Sequence, residues 1–385
     1  MPLTKHYDVI VAGLGAMGSA TAAHLALRGQ NVLGLERWTP GHRNASSHGD
    51  SRIIREMYFE HPMYVPFLQR AYELWSELGQ SAGTQLLHLT GGLMIGPENG
   101  ALVTGTLRSA REHGLAFDML SSAEVSRRFR AFDLREDLVA IYDPRAGYLD
   151  PEACNGAHLE IATRNGAELK FEEPVIEWDS TSDGVTVTTP RGSYSAGHLV
   201  LAVGARTRRL LKGLELPLDV ERQAVFWLEP DPETASYDDR VFPIYAYEYE
   251  PREICYGFPR LPRGVKASVM HSGEIVADPD NVNSEVRDEE IEPLRRALAP
   301  ILPGVSRAPV RERDVCLFTN TPDHDFIIDF HPAHSRVLIS SACSGHGFKF
   351  ASVVGEIQAD LIVHGKPRLD ISPFRVDRPS LQRTD

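Results

Sequence analysis

The stretch DVIVAGLGAMGSATAAHLALRGQNVLGLE, from Asp8 to Glu36, decides the fold. Its first five residues, Asp8 to Ala12, form a β-branched apolar run of the kind found in buried parallel strands. Gly13-Leu14-Gly15-Ala16-Met17-Gly18 follows with the spacing GxGxxG, and an Ala- and Leu-rich helical stretch continues to about Leu27. Arg28 and Gly29 close that helix, and Asn31 to Leu35 reads as a second strand ending in Glu36. Gly13 permits the tight turn, Gly15 lets the backbone approach a pyrophosphate, and Gly18 allows close helix-to-strand packing. The helix N-terminus offers free N–H groups and a positive dipole to phosphates. Glu36, about twenty residues after the glycines, is placed to accept hydrogen bonds from a ribose diol. An acid there favours a free 2′-hydroxyl, so the expected dinucleotide is NAD or FAD and not NADP.

Working outward, residues 41–55 read GHRNASSHGDSRIIR, a polar loop where an NAD domain would continue its strand and helix alternation. Arg52 and Arg55 suit either a solvated basic turn or the bidentate capture of a carboxylate in a dry cleft. The 385 residues suffice for two domains, and 42% hydrophobic with 24% charged residues is ordinary for a globular protein. A net charge of −13 argues against nucleic acid or an anionic membrane as a partner. Cys154, Cys255, Cys316 and Cys343 are scattered without a CxxC pair, which suits a reduced cytoplasm. No metal site, membrane span or targeting segment is expected, and the chain is read as soluble and cytoplasmic.

Five segments together resemble the monomeric sarcosine oxidase and N-methyltryptophan oxidase family, within the D-amino-acid-oxidase-like flavoproteins. They are GLGAMG, SSHGDSRIIR (Ser46 to Arg55), YGFP (Tyr256 to Pro259), VCLFTNTPDHDFIID (Val315 to Asp329) and SGHGFKF (Ser344 to Phe350). The resemblance implies FAD, bonded through its 8α-methyl group to Cys316; on the residues alone, Cys316 reads as a buried small hydrophobe. It implies that Arg55 and Lys349 hold a substrate carboxylate, that Lys266 promotes the reaction with oxygen, and that Arg52, His48 and Tyr256 line the flavin and substrate sides of the cavity. Around the cofactor it places Gly13, Gly15, Ala16, Met17, Gly18, Glu36, Arg37, Ser47, Gly49, Asp50, Ser51, Val175, Gly204, Gly345, His346, Gly347 and Phe348. The sarcosine enzymes of the family carry a histidine four residues after the oxygen-activating lysine, where this chain has Met270, with His271 next. Either His271 takes the catalytic place or it is an exposed residue at a strand end. The implied activity is oxidative demethylation of N-methyl amino acids, with O2 reduced to H2O2, by a monomer. The alternatives are an imino-acid oxidase or dehydrogenase and a D-amino-acid oxidase.

The expected architecture is α/β: a Rossmann-like FAD-binding domain from 1–85, 150–218 and 317–385, with a mixed-sheet substrate domain from 86–149 and 219–316. Strands are expected at His88 to Ile95, Val220 to Leu228, Phe242 to Glu248 and Val265 to Met270. The segment EEPVIEW around Val175 and the segment Gly192 to Arg206, which contains Gly204, also read as strands. Tyr64 to Leu78 and Phe350 to Val363 have helical spacing, and Asp280 to Ala297 reads as a solvated helix.

Overall fold

The computed structural model describes residues 6–233 and 235–381. The opening motif forms strand β1 (His6–Ala12), helix α1 (Ala16–Leu27) and strand β2 (Val32–Leu35). β1 pairs in parallel with β2 on one side and with Gly192–Leu201 on the other; β2 pairs in parallel with Glu168–Lys170. The carboxyl half of Gly192–Leu201 also pairs in parallel with His334–Ser341, while its amino half pairs antiparallel with Val185–Thr189. The result is an eight-stranded sheet whose parallel centre is built from apolar runs buried on both faces.

Helix α1 has almost no polar face because it is enclosed, lying between the sheet and the helices Pro151–Arg164 and Ala351–His364. Small residues make that possible. A side chain on Gly355 would come within 2.7 Å of the Ala20 methyl, and one on Gly18 would overlap the Gly13 carbonyl oxygen. Gly13 itself has φ +87°, and any side chain there would run into the Ala202 carbonyl.

A second, nine-stranded sheet is mixed. It contains Asp219–Leu228, Ile244–Glu250, Glu253–Leu261 and Gly264–Val269, with Gly92–Pro97 parallel to Ile244–Glu250. Its long antiparallel pair, Asp219–Leu228 with Val310–Asn320, sets Gln223 opposite Cys316. A three-stranded sheet joins Arg52–Ile54 to Gly147–Leu149 and Leu87–Leu89. It fixes the end of the polar loop between the two larger sheets.

Three expectations change in detail. His88 to Ile95 is two strands in different sheets, because the chain turns at Gly91 with φ +73°. Val175 lies in the extended connection before the strand Glu177–Ser180. Only Asp288–Ile291 and Glu292–Leu298 of the 280–297 segment are helical, and Leu294, Ala297 and Leu298 bury a face against the second core. Charge density obscured that apolar face. Among the described residues no helix is long and apolar enough to cross a membrane.

Replacement of Gly18 by Ala forces the β1–α1 turn open. Denaturant unfolding is expected to show a loss of about 3 kcal/mol, together with loss of bound dinucleotide.

Candidate active site

The parallel strands all end at one cavity of about 640 Å³. Gly13 follows β1, Glu36 and Arg37 follow β2, Gly204 follows Gly192–Leu201, and Ala342 follows His334–Ser341, and all of them line it. Ligands in open α/β sheets bind outside the carboxyl ends of the strands for this reason. The second sheet supplies the far wall through Ala246, Tyr256, Phe258, Lys266, Cys316 and Phe318.

The glycine-turn end fits a dinucleotide. Gly15 caps α1 in an extended conformation with no side-chain cap, leaving the helix terminus facing the cavity. Ser47 accepts the Ala16 N–H at 3.1 Å and ties the polar loop to that terminus. Glu36 accepts from the Leu14 N–H at 2.7 Å and the Trp38 N–H at 3.1 Å, and both oxygens retain lone-pair capacity for a diol. Trp38 Nε1, both His48 ring nitrogens and Ser51 Oγ are buried along this cavity without a hydrogen-bond partner among the described residues. Orphaned polar groups of that kind fit a long polar ligand lying from the turn to the far wall. Met17, Val175, Gly345, Gly347 and Phe348 also line it. Gly18 does not, since its task is packing, and Gly49 and Asp50 stand behind the wall.

Four cations reach the middle of the cavity. Arg52 donates to the Ser51 and Ser46 carbonyls at 2.8 Å each and stands 3.5 Å from Cys316 Sγ. Lys266, only 2% exposed, donates to the carbonyls of Gly49 at 2.6 Å and Ser51 at 2.9 Å. The rings of Phe258 and Trp227 face its ammonium at 5.1 and 5.4 Å. Arg55 makes a two-pronged contact with Glu60 at 2.7 and 2.8 Å and lies over the rings of Tyr58 and Phe59. Lys349 donates to the His346 carbonyl at 2.6 Å. Burial pushes the Lys349 ammonium down to about 7, with Arg55 adding to the effect and Glu60 opposing it. Burial likewise drives Lys266 well below its ordinary value and, with Arg52, His48 down to about 4. His48 is therefore a neutral ring at neutral pH.

The strand carrying Lys266 ends at Val269, which sorts Met270 from His271. Met270 lines the cavity; His271 takes φ +51°, turns behind Gly345, and bonds to Glu221 at 3.1 Å. The structure thus places His271 outside the cavity wall. Sequence reasoning missed three neighbours of the site. Glu60 follows Arg55 in an irregular turn, so no periodicity links them. Asp280 reaches from the second-sheet region to Arg37 at 3.3 Å and Arg206 at 2.6 Å, and also contacts Arg209, closing the cavity's nucleotide end. Cys343 lines the cavity as well, with a thiol that burial pushes up and so keeps protonated.

Comparison with known proteins agrees with this geometry. Residues 8–361 match the family of FAD dependent oxidoreductases denoted DAO. The chain belongs to that family. The monomeric sarcosine oxidase of Streptomyces avermitilis is 42% identical over 376 residues, covering 97% of each chain. An N-methyl-L-tryptophan oxidase of Yersinia pestis is 32% identical over 378 residues, covering 97% of this chain and 99% of its own. Among solved structures, NikD, an amino acid oxidase essential for nikkomycin biosynthesis, superposes with a TM-score of 0.84 at 27% identity over 97% of this chain and 98% of its own. The family members share FAD, and the turn, the acid and the orphaned polar groups described above are the features that would hold it.

Glu60 occupies one terminal nitrogen of Arg55 and would compete there with a carboxylate ligand; Arg55 and Lys349 maintain its charge against the opposing effect of burial. Glu60→Gln weakens that competitor, so steady-state kinetics on a carboxylate substrate should give a KM about tenfold lower with little change in kcat.

Proposed function

We propose that this chain is an FAD-dependent oxidase that demethylates N-methyl amino acids, with O2 as electron acceptor, and that it works as a monomer. The observation that carries the reading is one cavity joining the glycine turn to two buried cations, Arg55 and Lys349, with a third, Lys266, on another wall. FAD supplies, when bound, a two-electron acceptor that O2 reoxidises to give H2O2.

The chain's own residues do the rest. Arg55 and Lys349 receive the carboxylate, fixing its position and the direction of the reacting C–H bond in a site where charge pairing is strong. Tyr256, Phe258, Met270 and Phe318 line the cavity. They exclude water from the C–N bond until the imine has formed; hydrolysis then gives formaldehyde and the primary amino acid. The Lys266 ammonium, held by two carbonyls, stabilises negative charge that develops as O2 is reduced. Met270 in place of a polar group supports larger apolar N-methyl amino acids over sarcosine.

Cys316 is the proposed point of covalent attachment. It lines the cavity, with Sγ 3.5 Å from the Arg52 guanidinium. Cys154 and Cys255 lie in the cores, away from the cavity. Acid-precipitated protein should stay yellow in the wild type and in Cys343→Ala, and lose its colour in Cys316→Ala; retained colour in the last variant would refute attachment at Cys316.

The function is tested by peroxide production in air against sarcosine, larger N-methyl amino acids, cyclic imino acids and D-amino acids. Peroxide is expected from N-methyl amino acids, strongest with an apolar side chain. Lys266→Met should slow reoxidation by O2 about 100-fold while anaerobic reduction by substrate continues. Unchanged reoxidation would move oxygen activation to another residue.

A further inference from the structure

We propose that Tyr58 and His346 are positioning residues that keep Lys349 charged and aimed at the cavity, through a hydrogen-bonded chain whose direction is fixed at its far end. The proposal rests on Lys349 as a carboxylate ligand and adds what maintains it in that role.

The direction follows from donor and acceptor chemistry. The His324 carbonyl can only accept, and it lies 2.9 Å from His346 Nε2, so that nitrogen carries the proton. His346 is neutral, since burial pushes it down to about 3, and Nδ1 is therefore an acceptor. Tyr58 Oη is 2.6 Å from Nδ1 and must donate its hydrogen there. Burial drives the Tyr58 phenol well above its ordinary value, so the hydroxyl keeps its hydrogen. With that hydrogen committed, Tyr58 Oη offers only lone pairs to Lys349 Nζ at 3.5 Å. The His346 carbonyl, 2.6 Å from Nζ, also offers only lone pairs.

Both immediate partners of the amine thus require N–H donors, and an ammonium meets both with a third N–H left for the cavity. Trp75 Nε1 donates to the Lys349 carbonyl at 2.9 Å and fixes the backbone beneath it. The charged groups facing Lys349 are Arg52, Arg55 and Glu60. Two of these three oppose its charge, so the directed chain, together with Glu60, counters the repulsion. Tyr58 does not line the cavity and acts through Lys349; it is fully buried, against Tyr64, Phe350 and the Arg55 guanidinium.

The test is calorimetric titration of the holoenzyme with propionate, a carboxylate without a reactive amine, between pH 5.5 and pH 9. A protonated Lys349 binds the anion, so wild-type affinity is expected to fall as pH rises above the lysine's pKa. Tyr58→Phe keeps the ring packing and removes the acceptor. Its falling limb should move about one pH unit lower, with affinity at pH 5.5 within about twofold of wild type. His346→Leu frees the Tyr58 hydroxyl to donate toward Nζ and should move the limb the same way. His346→Gln, which can donate to His324 and accept from Tyr58, should restore it. An unshifted limb in Tyr58→Phe overturns the proposal. If instead the wild type shows no falling limb and Lys349→Met binds propionate equally well, the role of Lys349 as carboxylate ligand has failed, independently of Tyr58.

Discussion

Arg52, Arg55, Lys266 and Lys349 share one cavity, and the arrangement of the site follows from accommodating them. An isolated buried cation is costly, and like charges in low dielectric repel one another. The protein answers each with acceptors, the Ser51 carbonyl being shared by Arg52 and Lys266. Carbonyls of Ser46 and Ser51 take Arg52, those of Gly49 and Ser51 take Lys266, Glu60 takes Arg55, and the His346 carbonyl takes Lys349. The polar loop is irregular for this reason. Gly49 and Asp50 both have positive φ, and the carbonyls of Gly49 and Ser51 meet at Lys266.

These solutions leave a surplus of positive charge around the middle of the cavity, and that surplus is what an anionic ligand completes. The glycine-turn end relies on helix dipole and backbone N–H groups, which suit a pyrophosphate. The opposite end relies on side-chain cations, which suit a carboxylate. The His48 ring, which also lines the cavity, is neutral and adds no charge to either end. A cofactor and a substrate bound as proposed would thus answer one electrostatic problem from two ends.

How much of this was legible in the sequence depends on the range of each interaction. Gly13, Gly15, Gly18 and Glu36 form a local pattern whose spacing is itself the structure, and every element from Asp8 to Glu36 formed where the pattern set it. Arg55 could be read from its loop as one of two alternatives, and Lys266 and Lys349 only through family resemblance, since they come from three distant segments and no periodicity relates them. Met270 against His271 turned on where one strand stops, a one-residue question that pattern does not resolve. Tyr58 and Asp280 were illegible because each matters through a partner on another element, and Glu60 because it meets Arg55 across an irregular turn. The 280–297 segment misled in the opposite way, its charges concealing Leu294, Ala297 and Leu298 on the buried face.

The four cations divide by the permanence of their partners. Lys266 is held by main-chain carbonyls and aromatic faces that cannot leave without unfolding the loop and strand that carry them. Arg55 is held by the Glu60 side-chain carboxylate, whereas Lys349, like Lys266, has a main-chain carbonyl as its nearest partner. Exchangeable partners belong where a ligand arrives and departs in every cycle, because the incoming carboxylate replaces a carboxylate and the buried charge is never left bare. Fixed partners belong where the cation acts on a small neutral molecule that brings no counter-charge of its own. The contrast between a side-chain and a main-chain seat therefore separates Arg55, on the proposed amino-acid side of the cavity, from Lys266, on its proposed oxygen side.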